Sequence, residues 1–353
     1  MSYIIFFIFS IIFSLLINGL FLKFARTLGT KNDSNTNEVR WSSITKPAFG
    51  GISFYIIFLM SFAIYAIMFA YKGEKIDASF FGVLIAASIG FLVGLADDAY
   101  NTKPILKFIG QFSCALVLIV SGNYITLFDN QLLNYGISFF WIVGMMNSIN
   151  MLDNMDGITT SVSIGILSTT LFVLILTDNL DKLYFWVILG TIGSLVGFLY
   201  YNWNPSKMYM GDTGSQFLGV VLAVVGIRFF WNGYEFNDPE NSWAKFLTPL
   251  LVFLPSLVDT TIVTINRLAK GTSPFVGGRD HTTHHLSFLG LKDRLVAIFF
   301  LSLTFSCGAL ALYLNYEIKE WNNFILFTII SFMIIVFGTL FGITKRKIHN
   351  ESE

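Results

Sequence analysis

The sequence predicts an all-α polytopic integral membrane protein with about eleven transmembrane helices, the N-terminus outside and the C-terminus cytoplasmic. Three observations carry this. Of 353 residues, 54% are hydrophobic and 12% charged, against about 25% charged in a soluble domain. Apolar runs long enough to cross roughly 30 Å of hydrocarbon recur from one end of the chain to the other. Lys and Arg are divided unevenly among the connections. Nothing breaks the chain into parts, so residues 1–353 form a single transmembrane domain embedded in a lipid bilayer. The net charge of zero gives no bulk attraction to nucleic acid, and no nucleic-acid partner is expected. Cys114 and Cys307 lie in apolar runs without metal-ligand neighbours and read as small hydrophobes.

The apolar runs lie near 3–22, 48–71, 78–96, 105–121, 135–150, 158–177, 183–201, 213–231, 246–266, 295–315 and 323–343. The first has no basic residue before it and Lys23 and Arg26 after it. That pattern fits a retained helix with its N-terminus outside rather than a cleaved signal. Of the 22 Lys and Arg, Lys72, Lys75, Lys182, Arg228, Lys245 and Lys319 fall in outer connections and the other sixteen on the inner side, the asymmetry expected for that orientation.

Each run delivers its polar residues to the same side. The second starts with Lys46-Pro47-Ala48-Phe49-Gly50-Gly51. Asp97-Asp98 ends the third, and the fourth carries Lys107 and Gln111 one turn apart. The fifth, the shortest, ends in Asn147-x-x-Asn150-x-x-Asp153-x-x-Asp156-Gly157. Asn202-x-x-Pro205 and Met210-Gly211-Asp212-x-Gly214-Ser215 join the seventh to the eighth. Asp259 lies near the inner end of the ninth, with Arg267 beyond it. Gly277-Gly278-Arg279-Asp280-His281-Thr282-Thr283-His284-His285 fills the longest inner connection. Ionisable groups at the ends of spans are costly without a function or a partner. Their convergence marks an active site on the cytoplasmic face.

The chemistry of the clusters is complementary. Residues three apart on a helix are neighbours, so Asn150, Asp153 and Asp156 present hard oxygen atoms suited to Mg²⁺, which combines carboxylates with water and phosphate. The bland alternative is a capped helix end before a glycine. Paired Asp97 and Asp98 hold a metal or a proton, since a like charge raises one of the two pKa values; alone they would read as a solvated helix end. Asp212 opens a glycine-rich helix start that favours an anion, or is a simple cap. Lys107 meets a phosphate or snorkels to the surface. Gly50 and Gly51 let backbone approach a substrate, or mark a junction. Arg279, His281, His284 and His285 donate to a pyrophosphate; zinc is disfavoured by the hard-oxygen setting and the lack of Cys. Together these are the parts of a phosphoryl-transfer site, with one soluble substrate and one lipid phosphate.

On these motifs, over nearly its whole length, the chain resembles the polyprenyl-phosphate N-acetylhexosamine-1-phosphate transferase superfamily (glycosyltransferase family 4), which includes the common-antigen and teichoic-acid initiators and the lipid I synthase. The resemblance implies transfer of a sugar-1-phosphate from a UDP-sugar, UDP-GlcNAc first, to undecaprenyl phosphate, with release of UMP. It implies a bacterial inner (cytoplasmic) membrane enzyme using Mg²⁺, with Mn²⁺ as a substitute, and a homodimer as default assembly. By position it makes Asp212 and Asn150 metal ligands, and gives Asp97 the lipid phosphate to deprotonate or position. Asp98, Asp153, Asp156, His281, His284 and His285 join it in the catalytic set. Gly50, Gly51, Lys107, Asn147, Arg279, Asp259 and Arg267 bind substrate, with the two glycines near the lipid phosphate. Two departures stand out. The family's Asp-Gly-x-Asp-Gly is here Asp153-Asn154-Met155-Asp156-Gly157, and its His-x-His-His is His281-Thr282-Thr283-His284-His285. The second is associated with initiators of the teichoic-acid and common-antigen type. A transporter or scaffold would equally account for the spans, but its charged groups belong at mid-membrane.

Overall fold

A computed structural model describes residues 2–28, 46–68, 78–177, 182–233, 242–274, 277–318 and 321–346. Among these residues the chain is all helix, with one isolated parallel bridge between Ala48 and Tyr209. The helices are α1 (Ser2–Leu28), α2 (Gly50–Met68), α3 (Ala78–Tyr100), α4 (Pro104–Val120), α5 (Gln131–Leu152), α6 (Ile158–Leu176), α7 (Lys182–Asn202) and α8 (Gly211–Val225). A π-helical turn (Gly226–Trp231) prolongs α8. They are followed by α9 (Ser242–Val252), α10 (Leu254–Ala269), α11 (Thr282–Phe288), α12 (Asp293–Tyr316) and α13 (Asn323–Lys345).

Nine of the described helices are long and apolar enough to cross a membrane, or ten if α9 and α10 are counted as one bent span. Every apolar run of the sequence has a helical counterpart, with three differences. The short run near 135–150 is a full helix of 22 residues, α5, because Asn130 caps it by accepting from Leu132 N–H. The run near 105–121 gives α4, only 17 residues long. The run near 246–266 is broken at Phe253 by 79°. Pro255 lacks the N–H that would continue the helix across the break. Arg26 and the residues of the first inner connection, Lys31 and Arg40, lie outside the side chains described.

The bundle is built around α8. Its span is 94% buried, whereas those of α1 and α13 are 22% and 11% buried and present most of their apolar surface outward. Helices α2, α3, α5 and α6 surround α8, α7 leans on α1 and α2, and α12 packs on α6. Small residues set the closest approaches, as is usual where lipid replaces the hydrophobic drive between helices. A Cβ on Gly51 would collide with the backbone of Gly214, and one on Gly94 with the carbonyl of Asp212. Ser14, Asn18, Ser53 and Ser194 link α1, α2 and α7 through buried hydrogen bonds, such as Ser14 Oγ to the Ser194 carbonyl at 2.7 Å. Cys114 and Cys307 are buried and free, as their setting predicted.

Candidate active site

The ends of α3, α5 and α7 and the starts of α2, α4, α6, α8, α11 and α12 meet at one pole of the bundle. Lys107, one turn into α4, is at the centre. Its Nζ donates to Asp97 Oδ2 (3.0 Å), Asn150 Oδ1 (3.1 Å) and Asp212 Oδ2 (2.8 Å), so four helices are tied to one ammonium. The α3–α4 turn makes this reach feasible. Asn101 adopts a left-handed backbone, φ 48°, and Asp97 Oδ1 accepts from both the N–H and the hydroxyl of Thr102, at 2.9 and 2.6 Å. Asn150 also donates to Asp212 Oδ1 and to Ser215 Oγ, joining the end of α5 to the start of α8. Asp98 faces the other way. Although exposed, it accepts from Asp212 N–H, Thr213 N–H and Thr213 Oγ1.

Below this layer Gln111, Asn147 and Gln216 form an amide ladder: Asn147 Nδ2 donates to Gln111 Oε1 at 2.9 Å, and Gln111 Nε2 to Gln216 Oε1 at 3.1 Å. Asn147, expected to bind substrate, here supports the layer from beneath. Gly50 and Gly51 depart from expectation in the same way. Their N–H groups donate to the carbonyls of Tyr209 and Met210, so the glycines lock α2 to the start of α8 and their amides are not presented to a lipid phosphate.

The two carboxylates after α5 differ. Asp156 is buried and accepts from Asn204 Nδ2, Ser206 N–H and Ser206 Oγ, with Lys46 Nζ at 3.6 Å. It anchors the 202–209 segment, and Asn202 reinforces the junction by accepting from Gly157 N–H and Thr160 Oγ1. Asp153 accepts no hydrogen bond from the described residues and remains half-buried. Burial, and then the charges of Asp212, Asp98 and Asp156, push its carboxyl up to about 8, because each disfavours the ionised form.

The histidine loop joins this site through Asn154, whose side chain accepts from Thr283 Oγ1 at 2.6 Å and whose carbonyl is 3.4 Å from His284 Nε2. Asp259 organises the loop from below. Fully buried, it meets His281 Nδ1 at 2.9 Å and accepts from Thr282 N–H and Oγ1, capping α11. Arg267, also buried, holds Asp280 with a two-pronged ion pair at 2.7 and 2.8 Å and donates to the Pro274 carbonyl. That guanidinium helps keep the Asp280 carboxyl below the usual carboxylate range against its burial. Asp259 and Arg267, expected to bind substrate, are engaged inside the protein in this structure and hold the loop in place. Burial, then the neighbouring His281, lowers His284 to about 4, so it stays neutral near pH 7. His285 packs on Phe288, and Arg279 is on the exposed side of the loop.

Several members of the site gave little sign in the sequence. Lys46, expected as part of a stretch that brings backbone close to a substrate or forms a loop-to-helix junction, stands beside Asp156 and donates to Ser206 Oγ at 2.9 Å. Gln216 lies one helical turn after Asp212, a spacing that brings it to the same face of α8. Thr102, Asn204 and Ser206 had no such signal, since isolated hydroxyl and amide residues in turns are common.

The donor set fits a hard divalent cation. Oxygens of Asp97, Asn150 and Asp212, brought from three helices, already converge on one cationic atom, Lys107 Nζ. Among the described residues no three His, Cys, Asp or Glu side chains form a metal cluster by themselves. Two carboxylates and an amide are nevertheless what Mg²⁺ accepts when substrate phosphates and water supply its other ligands.

Comparison with known proteins agrees with this arrangement. Residues 80–230, from α3 through the end of the π turn, match the model of glycosyl transferase family 4. The chain is 26% identical to the probable undecaprenyl-phosphate N-acetylglucosaminyl 1-phosphate transferase of Bacillus subtilis, over 97% of this chain and 92% of that one. It is 26% identical to the decaprenyl-phosphate N-acetylglucosaminephosphotransferase of Mycobacterium leprae, over 71% and 69% of the two chains. It is 25% identical to a phospho-N-acetylmuramoyl-pentapeptide-transferase of Staphylococcus aureus, over 76% and 85%. The matched region carries Asp97, Lys107, Asn150 and Asp212.

Proposed function

We propose that the protein transfers an N-acetylhexosamine-1-phosphate, N-acetylglucosamine-1-phosphate first among them, from a UDP-sugar to a polyprenyl phosphate such as undecaprenyl phosphate. An oxygen of the lipid phosphate bonds to the phosphorus that carries the sugar, the bridging P–O bond breaks, and UMP leaves with the electron pair. The single observation that carries the reading is the convergence of Asp97, Asn150 and Asp212 on Lys107 at the pole where the helices end. A transporter would need its charged groups near mid-membrane.

Asp212 and Asn150, with Asp97, would hold Mg²⁺, or Mn²⁺ in its place. The cation would supply neutralisation of the pyrophosphate charge that develops as the bond breaks. Lys107 stands among the same oxygens with a charge available to the transferred phosphate. Asp97 is engaged by Thr102 and Lys107, which suits it to orient the lipid phosphate. Asp153 accepts no such bonds from the described residues and has a carboxyl pushed up to about 8, so near neutral pH it holds a proton that it can give to a phosphate oxygen. His281, held through Nδ1 by Asp259, has Nε2 left for the pyrophosphate, with Arg279 on the same loop. The eleven-span count, a cytoplasmic site, an inner-membrane location and a homodimer are parts of this proposal; the Lys and Arg asymmetry and the resemblance support them.

The test is a label-transfer assay. Membranes containing the protein receive undecaprenyl phosphate, Mg²⁺ and, in parallel, several UDP-N-acetyl-sugars. Lipid-extractable label from one donor, lost with EDTA and in Asp212→Ala, is the expected result. No label from any donor with folded protein, or undiminished label in EDTA, would defeat the proposal.

A further inference from the structure

The Asp97-Asp98 pair reads in the sequence as one unit, yet the two side chains diverge by about 100° around α3, as successive helical residues must. Asp97 points to Lys107, and Asp98 to the first turn of α8. That turn lacks a cap of its own. The residue at the capping position is Met210, which supplies no side-chain acceptor. The orphan N–H groups of a helix start need one. Asp98 provides it through space: Oδ1 takes Asp212 N–H at 2.9 Å, and Oδ2 takes Thr213 N–H at 2.9 Å and Thr213 Oγ1 at 2.6 Å.

Two glycines accommodate the arrangement. Gly94, one turn before Asp98 on the same face of α3, lets α3 approach the carbonyl of Asp212. Gly211 has φ 72°, and a Cβ there would be 2.5 Å from an oxygen of Asp98. Residue 211 is thus glycine for two reasons: the backbone is left-handed, and the space is filled by the capping carboxylate. Three donors and no acceptor face Asp98, so a carboxylate fits where an amide would turn its own N–H against one of them.

We propose that Asp98 is a positioning residue, which caps the first turn of α8 from α3 and thereby fixes where Asp212 meets the metal and pyrophosphate. The inference rests on the reading of Asp212 as a metal ligand. It separates the two aspartates: Asp97 acts in the cleft, and Asp98 acts through Asp212.

The experiment measures Mn²⁺ binding by electron paramagnetic resonance on purified full-length protein in detergent, alongside turnover as a function of Mg²⁺ and of pH. Asp98→Ala is expected to weaken Mn²⁺ binding at least tenfold. Its turnover recovers as Mg²⁺ is raised, and its pH profile keeps the wild-type shape. Thr213→Val, which removes one of the three donors and keeps the side chain's volume, gives a smaller loss of the same kind, about threefold, and stands in if Asp98→Ala does not fold. Wild-type Mn²⁺ affinity in either variant, with turnover reduced at every Mg²⁺ concentration, overturns the inference and returns Asp98 to direct chemistry. Absence of Mn²⁺ binding by the wild type itself would overturn the metal reading and this inference with it.

Discussion

Asp153→Asn tests the site through stability as well as through activity. The ordinary value of this carboxyl is 3.8, and the folded protein pushes it up to about 8. Between those values the native state holds a proton that the unfolded chain has released. Stability is therefore fully present below about pH 3.8, falls as the pH rises, and is lowest above about pH 8. At about 1.4 kcal/mol per pH unit, the loss between pH 5 and pH 8 has a ceiling of roughly 4 kcal/mol. The side chain is only half-buried, and solvent screening reduces this to about 1–3 kcal/mol. An amide of the same shape carries no charge to be disfavoured. The variant is therefore expected to unfold close to the wild type at pH 5 and a few degrees above it at pH 8, while turnover in the label-transfer assay is lost. Thermal unfolding followed by tryptophan fluorescence in detergent, at pH 5, 6.5 and 8 without divalent cations, reads the difference. A variant no more stable than the wild type at pH 8, or an advantage that does not grow with pH, would refute the reasoning.

Asp259→Leu removes the acceptor that His281 and Thr282 share in a fully buried site; it should cost about 3–5 kcal/mol, seen as a lowered thermal midpoint together with lost turnover. Arg267→Lys keeps the charge but cannot reproduce the two-pronged contact with Asp280, so proteolysis within 270–290 should speed up while the helices stay intact. Gly51→Ala drives a methyl into the backbone of Gly214, whereas Gly144→Ala meets open space. The first should lower the yield of folded protein sharply, and the second should be neutral or stabilising by up to about 1 kcal/mol, as size-exclusion profiles and unfolding curves would report.

The features legible in the sequence are those that depend on the solvent and on near neighbours along the chain. A low charged fraction and repeated apolar runs determine an all-helical membrane protein, because in hydrocarbon every backbone group must be satisfied within its own segment. Polar residues at run ends mark the pole that becomes the site, and the i, i+3 spacing from Asn147 to Asp156 brings its members to one helix end. Tertiary structure alone decided how labour is divided within those motifs. Asp97 and Asp98 are adjacent in sequence, but one meets Lys107 and the other α8. Asp153 and Asp156 repeat at the same spacing, yet one accepts no hydrogen bond from the described residues and the other is saturated by Ser206 and Asn204. Asp259 and Arg267, which the motif pattern offered as substrate contacts, are buried braces of the histidine loop. Spacing along a helix fixes the direction in which a side chain leaves, but its role depends on what waits there, and those partners come from other elements, 10 to 129 residues away in the chain.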